Sequence, residues 1–361
     1  MWQTDTGTAP GTMEKAWEKD GYTSLFSTPG TLIATTSDSV SRLDSEDGET
    51  IWEYKRKGAT LCDAIESEGN VLALFDAGRG CSDIILLDAA TGEYKAQAQY
   101  GTSSHVARLV YGQKSVAIVT PNYVRVLRAY DLVPQAAFGD SEAKRNESDQ
   151  SVKNCEVSDV VLGSKVFAVA AKCEEDTYDN NNDNYQIYIM NIDPEESSAG
   201  EMNTDSIDTG TKEPVTIPAI SISMLVFVTG GNNPMSYVWQ LDKDHAEVAA
   251  FRVETNNIGY TYQDLEQFGY TWRIGDWVRY RPGSEDLSKG FDITGATGQA
   301  MQAGNQLLVP GYKSLYIANL KQKDVLEIDF GDDYPVSPTG DYGFSGRTFA
   351  SLVDGKIKAY S

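Results

Sequence analysis

Short runs in which apolar residues dominate or alternate with polar ones recur along the whole chain, among them "LIATT", "VLALFD", "SVAIVT", "KVFAVAAK", "SMLVFVT" and "NQLLVPG". Gly, Asn, Asp and Ser gather between them, so the pattern predicts short strands joined by tight turns. The strands fall into segments that repeat about every 40 residues. The first contains "LIATTSDSVSRLDSEDGETIWEYK", the second "VLALFDAGRGCSDIILLDAATGEYKAQ" and the third "SVAIVTPNYVRVLRAYDLVPQAAF". The fourth is "KVFAVAAKCEEDTYDNNNDNYQIYIMNID", the fifth "ISISMLVFVTGGNNPMSYVWQLDKDHAEVAAFRV", the sixth "YTWRIGDWVRYRPGSEDLSKGF" and the seventh "NQLLVPGYKSLYIANLKQKDVLEIDF". The last, "GRTFASLVDGKIKAYS", stops where the others continue into a further turn and strand.

The missing strand stands at the other terminus. "EKAWEK" at 14–19 reads like "ETIWEY" at 49–54, with Glu14 matching Glu49, Trp17 matching Trp52 and Glu18 matching Glu53. Pairing the first strand with the last three closes a ring and leaves no open end to invite edge-to-edge aggregation. The expected fold is all-β: a single eight-bladed β-propeller of four-stranded antiparallel blades over 1–361. Residues 1–12 are expected to be a tether remnant and 13–20 the closing strand of the last blade. Seven blades is the alternative, because the fifth and sixth segments are irregular enough for one to be an insertion.

The repeated turn has a structural chemistry. Asp44 can accept backbone N–H bonds within it, Gly48 can take the positive φ it needs, and Trp52 can cover a neighbouring blade's edge. "RLDSEDGETIWE" and "LLDAATGEYK" resemble the blade signature of the quinoprotein, or PQQ-like, β-propeller superfamily, in which an Ala-x-Asp…Gly…Trp turn docks neighbouring blades. Arg42 replaces the Ala in the first turn, and Ala96 stands at the Trp position in the second. The resemblance implies a degenerate member, similar to the propeller lipoproteins that assist envelope assembly. It also raises the quinone-dependent dehydrogenases. Those carry adjacent cysteines and a calcium held by carboxylate and amide groups; no two cysteines are adjacent here, and no catalytic residue is carried over.

The four cysteines bear on compartment. Cys62 and Cys81 bracket one expected hairpin that turns near "SEGN", and Cys155 and Cys173 bracket another that turns near "LGSK". A hairpin brings its ends together, so two disulfides are expected, each stabilising by about 3 kcal/mol. The alternative is four buried free thiols. Zinc is disfavoured, since no CxxC pair occurs and His105 and His245 are isolated. Disulfides imply an extracytoplasmic setting, with a signal or membrane anchor removed before Met1. The net charge of −23, from 53 acidic and 30 basic residues, repels phosphate backbones and disfavours nucleic-acid binding.

Two stretches are candidate binding sites. The loop "CEEDTYDNNNDNYQ" gathers Glu174, Glu175, Asp176, Asp179, Asn180 and Asp183, hard oxygen groups of the kind calcium takes, with Asp176, Asp179 and Asp183 as the ligand set. It lacks the order of an EF-hand, and a solvated turn is the reading preferred. "YTWRIGDWVRYRPG" interleaves Trp272, Trp277 and Tyr280 with Arg273, Arg279 and Arg281, residue types suited to stacking and forked hydrogen bonds with a partner. Blade packing explains the same residues. His105 lies beside Ser103 and Ser104, yet no GxSxG elbow is present, and a surface or channel histidine is the default.

The expected function is a non-enzymatic, extracytoplasmic binding or scaffolding module of a bacterial cell envelope. It would act as a monomer on a protein or cell-wall partner, contacting membrane only through its removed anchor, and would need no cofactor, with calcium as an optional ion. A funnel-sited hydrolase or lyase, or a quinone-dependent dehydrogenase, is the enzymatic alternative.

Overall fold

The computed structural model describes residues 13–28, 30–100, 104–112, 114–139, 153–174, 184–192, 205–220, 224–231, 235–241, 247–252, 260–261, 270–274, 277–281, 291–294, 301–303, 306–311, 313–319, 325–330 and 341–361. Among them every regular element is a strand, and the strands form eight four-stranded antiparallel sheets. The first sheet is Ser24–Thr28, Thr31–Thr35, Ser39–Leu43 and Thr50–Lys55, paired in chain order. The second is Thr60–Ser67, Asn70–Asp76, Cys81–Asp88 and Tyr94–Gln99. The third runs from Arg108–Tyr111 to Pro134–Gly139, the fourth from Lys153–Leu162 to Asp205–Asp208, and the fifth from Val215–Ile220 to Glu247–Arg252. The sixth runs from Tyr260–Thr261 to Phe291–Thr294 and the seventh from Met301–Ala303 to Val325–Asp329. The irregular fifth and sixth segments thus each build a sheet of their own.

The eighth sheet joins the two ends of the chain. Asp341–Ser345, Thr348–Val353 and Lys356–Tyr360 are completed by Lys15–Asp20, which pairs antiparallel with the last strand so that Trp17 faces Ala359 and Lys15 faces Tyr360. Glu18 adds ion pairs to Lys15 and Lys356 on the exposed side.

Among the described residues the apolar side chains form separate clusters between neighbouring sheets rather than one core. In Asn70–Asp76, Val71, Ala73 and Phe75 pack with Ile33 and Val40 of the first sheet, whereas Leu72 and Leu74 pack with Leu109, Val116 and Ile118 of the third. A strand whose alternate side chains enter two interfaces must be apolar throughout, which is why these strands read as continuous hydrophobic runs rather than strict alternation. Equivalent clusters join the third sheet to the fourth, the fourth to the fifth, the seventh to the eighth and the eighth to the first. First strands sit side by side from the eighth sheet through the fifth. The fourth strands Thr50–Lys55 and Tyr94–Gln99 run between exposed and partly buried residues, with none fully buried.

The repeated turn docks one sheet onto the next. In the first sheet Gly48, at φ 74°, donates its N–H to the Asp44 carbonyl, and Asp44 Oδ1 accepts the Glu46 N–H. The Trp17 ring lies over this turn, where a Cβ on Gly48 would come within 2.8 Å, and its Nε1 donates to the Ser45 carbonyl. Trp52 repeats the arrangement on Gly92 and donates to the Ala89 carbonyl. The third sheet departs from it. Leu132, at φ 62°, occupies the turn position of Gly48 and Gly92, and Ala96 occupies the position of Trp17 and Trp52. Leu132 is 1% exposed in the cluster against which Ala96 packs. The large and small partners have exchanged places, so the Trp lost at 96 is compensated rather than simply eroded. The Tyr100 hydroxyl donates to the Leu132 carbonyl, and Arg125 lies between the Tyr100 and Tyr123 rings.

Candidate functional site at the inner rim

The adjoining first strands carry a row of charged residues, Arg108 and Asp341 at the start of theirs and Asp63 and Asp159 within theirs. Register shifts fall between Leu61 and Asp63 in the second sheet and between Val157 and Asp159 in the fourth. Such bulges re-aim a side chain. Asp63 accepts the Ala64 N–H at 2.8 Å and, across the joint, the Leu109 N–H at 2.6 Å. Asp159 does the same with Val160 at 2.9 Å and with Ile217 of the fifth sheet at 2.7 Å. Asp341 of the eighth sheet accepts the Leu25 N–H of the first at 3.2 Å. The second, fourth and eighth sheets therefore each present an aspartate to the first strand of their successor.

Arg108, on the third sheet between two of these carboxylates, donates to Asp159 Oδ1 at 2.8 Å. Burial pushes the pKa values of Asp63 and Asp159 upward, while backbone donors and the Arg108 charge oppose it; the Asp341 charge adds to the rise at Asp63. The carboxylates are thus engaged as acceptors that stitch strands together. Arg108, with 45% of its side chain exposed, is the cation of the row that faces solvent.

A second cluster bridges the second and third sheets. Asp76 Oδ1 accepts N–H bonds from Gly78, Arg79 and Gly80, and its Oδ2 lies 2.5 Å from His105 Nδ1. The hydrogen bond to His105 is the main cause holding the Asp76 carboxyl below the usual range. His105 is an exposed histidine, as expected from the sequence. Ser104 Oγ donates to the Val106 carbonyl at 2.6 Å, a local turn rather than a nucleophile aimed at an imidazole.

Cys62 is bonded to Cys81 and Cys155 to Cys173, the pairing expected from the hairpins, and no described cysteine is free. The calcium candidates Asp176, Asp179 and Asp183 lie outside the described residues. Among those described, no group of three or more His, Cys, Asp or Glu is arranged to hold a metal ion. Trp272 and Arg273 fall on Tyr270–Ile274, and Trp277, Arg279 and Arg281 on Trp277–Arg281; these strands pair with Trp272 opposite Arg279 and Tyr270 opposite Arg281. Their side chains lie outside the described residues. Asp63, Arg108, Asp159 and Asp341 were not singled out by sequence reasoning. The available signal was an Asp placed just before an apolar run in "CDAI" and "SDVV".

Known structures share the fold. BamB from Moraxella catarrhalis superposes with a TM-score of 0.52 at 10% identity, covering 97% of this chain and 100% of that one. The C-terminal WD40 domain of Sif2 superposes with a TM-score of 0.61 at 9% identity, covering 98% and 99%. The fold is a β-propeller. The stacked sheets are propeller blades, and the row of charged residues lies on their inner strands. No protein-family model and no curated protein matches the chain by sequence.

Proposed function

We propose that this chain is a non-enzymatic, extracytoplasmic β-propeller that serves as a binding or scaffolding module in a bacterial cell envelope. The observation that carries the reading is the pair of disulfides, one joining the first and third strands of the second sheet and the other closing the first hairpin of the fourth. Such bonds persist in oxidising compartments and are rare in the cytosol. Eight blades closed into one ring is part of the proposal. It is supported by the eight sheets and by the packing of the eighth sheet on the first, and it requires the sixth sheet to sit between the fifth and seventh.

A rigid propeller offers loops on two ends and an inner rim, a form suited to holding a partner without large rearrangement. The partner proposed is a protein or cell-wall component, contacted by Trp272, Arg273, Trp277, Arg279 and Arg281, with the propeller acting as a monomer. Affinity capture from native envelope with the wild-type chain and with the Arg273→Ala, Arg279→Ala, Arg281→Ala triple variant tests this. The wild type should enrich a specific envelope component that the triple variant loses. Identical recovery by both would assign the stretch to blade packing, and no envelope component in either would overturn the function.

A further inference from the structure

The joints between successive sheets can be compared position by position, because the repeated turn fixes a common register. Asp44, Asp88 and Arg128 stand at one place in it, their carbonyls accepting the N–H groups of Gly48, Gly92 and Leu132. Three residues earlier come Ser41, Ile85 and Arg125, and five residues earlier Ser39, Asp83 and Tyr123. On the outer strands Trp52 matches Ala96, so Tyr54 matches Ala98 and Arg56 matches Tyr100.

The joint between the first and second sheets neutralises its own charge. Tyr54 packs in one cluster with Ile85 and Phe75, its ring centre 6.0 Å from that of Phe75. Arg56 pairs with the buried carboxylate of Asp83 at 3.4 Å. The outer strand of one sheet supplies the cation, and the third strand of the next supplies the anion.

The joint between the second and third sheets fills the same four places differently. Ala98 stands for Tyr54, Arg125 for Ile85, Tyr100 for Arg56 and Tyr123 for Asp83. The cation has moved to the third strand, and a phenol holds the place of the carboxylate. Arg125 is half-buried, its guanidinium carbon 5.3 Å from the centre of the Tyr100 ring and 5.4 Å from that of Tyr123. Ring faces attract a cation and restrict where its fork can lie, but they give its N–H donors no oxygen acceptor. Arg125 makes no hydrogen bond or ion pair with a described residue. Neither Tyr94–Gln99 nor Tyr123–Arg128 contains an acidic residue. Asp131, a carboxylate whose charge reaches Tyr100, is held by both arms of the Arg128 fork. A charge drawn partly out of water is costly unless it is paired, so this joint keeps a cation whose counter-ion the described chain does not provide.

We propose that the outer half of this joint is a carboxylate-binding site, in which Arg125, braced by Tyr100 and Tyr123, takes in its fork a carboxylate supplied from outside the chain, as Arg56 pairs with Asp83 within it. Ala98 presents a methyl group where the first joint has a phenol ring, and Gln97 and Gln99 beside it are exposed and uncharged. A singly charged carboxylate suits the site better than a phosphate dianion, because the net charge of −23 opposes each negative charge added. The site is separate from the stretch around Trp272 and does not rest on the envelope reading.

The test follows the Arg125 Nε–H resonance of the full chain, with the Arg128 Nε–H, already paired with Asp131, as internal control. Sodium acetate should move the Arg125 signal saturably, at about a tenfold lower concentration than sodium chloride, since a carboxylate accepts two parallel N–H donors. Arg128 should stay in place. The Ala98 and Gln99 amides should move with Arg125 in the wild type and remain still in Arg125→Gln. An unsaturable Arg125 shift, equal responses to acetate and chloride, or the same amide shifts in Arg125→Gln would sink the proposal. Should Arg125→Gln fail to fold, the wild-type contrast between Arg125 and Arg128 decides alone. A second arm, run once acetate has saturated the signal, uses a blocked Ala-Glu-Ala tripeptide. Binding about tenfold tighter than acetate would support a carboxylate carried on a peptide partner, and binding no tighter would support a small free acid.

Discussion

The exchange of large and small partners at the third sheet makes a quantitative prediction. Leu132 is 1% exposed and sits at φ 62°, so Leu132→Gly has two opposed effects. Glycine relieves a left-handed strain of about 1 kcal/mol. Removing a buried leucine side chain costs about 3 to 5 kcal/mol through lost transfer energy and the cavity left behind. Burial wins, and the single variant should lose about 2 to 4 kcal/mol. Ala96→Trp alone drives an indole against the intact leucine, an overpacking cost of about 1 to 3 kcal/mol. Combined, the two changes restore the arrangement of Trp17 on Gly48 and Trp52 on Gly92, with the Ala129 carbonyl as acceptor for the new indole. The double variant should therefore be more stable than Leu132→Gly, with a favourable coupling of about 2 kcal/mol between the sites. Urea unfolding followed by far-ultraviolet circular dichroism at constant m measures this directly. If the double variant loses the sum of the two single losses, position 96 does not face position 132 and the compensation argument is wrong.

Other expectations follow from the joints and the turns. Gly92→Ala should cost about 2 to 5 kcal/mol in the same assay, since its Cβ would lie 2.7 Å from the Trp52 ring at a backbone φ of 72°. Asp63→Ala should cost about 1 to 3 kcal/mol by leaving the Leu109 N–H without its acceptor, with Asp63→Asn recovering part. Replacing Cys62 and Cys81 by Ser should cost about 3 kcal/mol, and thiol titration of the denatured wild type without reductant should find no free cysteine. Asp88, whose pKa is held down at about 2 chiefly by Lys95, contributes stability present above the unfolded carboxylate range and lost as pH falls from 4 toward 2; Asp88→Asn should flatten that part of the acid unfolding curve. Millimolar calcium should leave the melting temperature where a chelator leaves it, and a rise of several degrees would restore Asp176, Asp179 and Asp183 as ligands.

Much of the architecture was legible in the chain because its signals are local. Asp44, Gly48 and Trp52 lie within nine residues, and the turn that positions them is a property of that short stretch. Cys155 with Cys173 follows from a hairpin, in which sequence separation maps directly onto distance, and Cys62 with Cys81 from a hairpin followed by the tight 77–80 turn that brings the third strand back beside it. Trp17 was readable as the missing outer strand because it repeats the pattern around Trp52. The rim was not readable. Asp63 and Asp341 are two carboxylates among 53 acidic residues until the stacking of sheets brings the Leu109 and Leu25 amides to them.

By itself, then, the order of residues determined the strands, their grouping into repeats, the cysteine pairing and the union of the two termini in one sheet, since each depends on periodicity or on partners joined by one or two short turns. Tertiary packing alone decided that Ala96 and Leu132 share one joint and that Arg108 lies between Asp63 and Asp159. Those relations hold between neighbouring sheets. What selects them is the volume and hydrogen-bonding demand of an interface buried from both sides, which no single repeat carries in its own sequence.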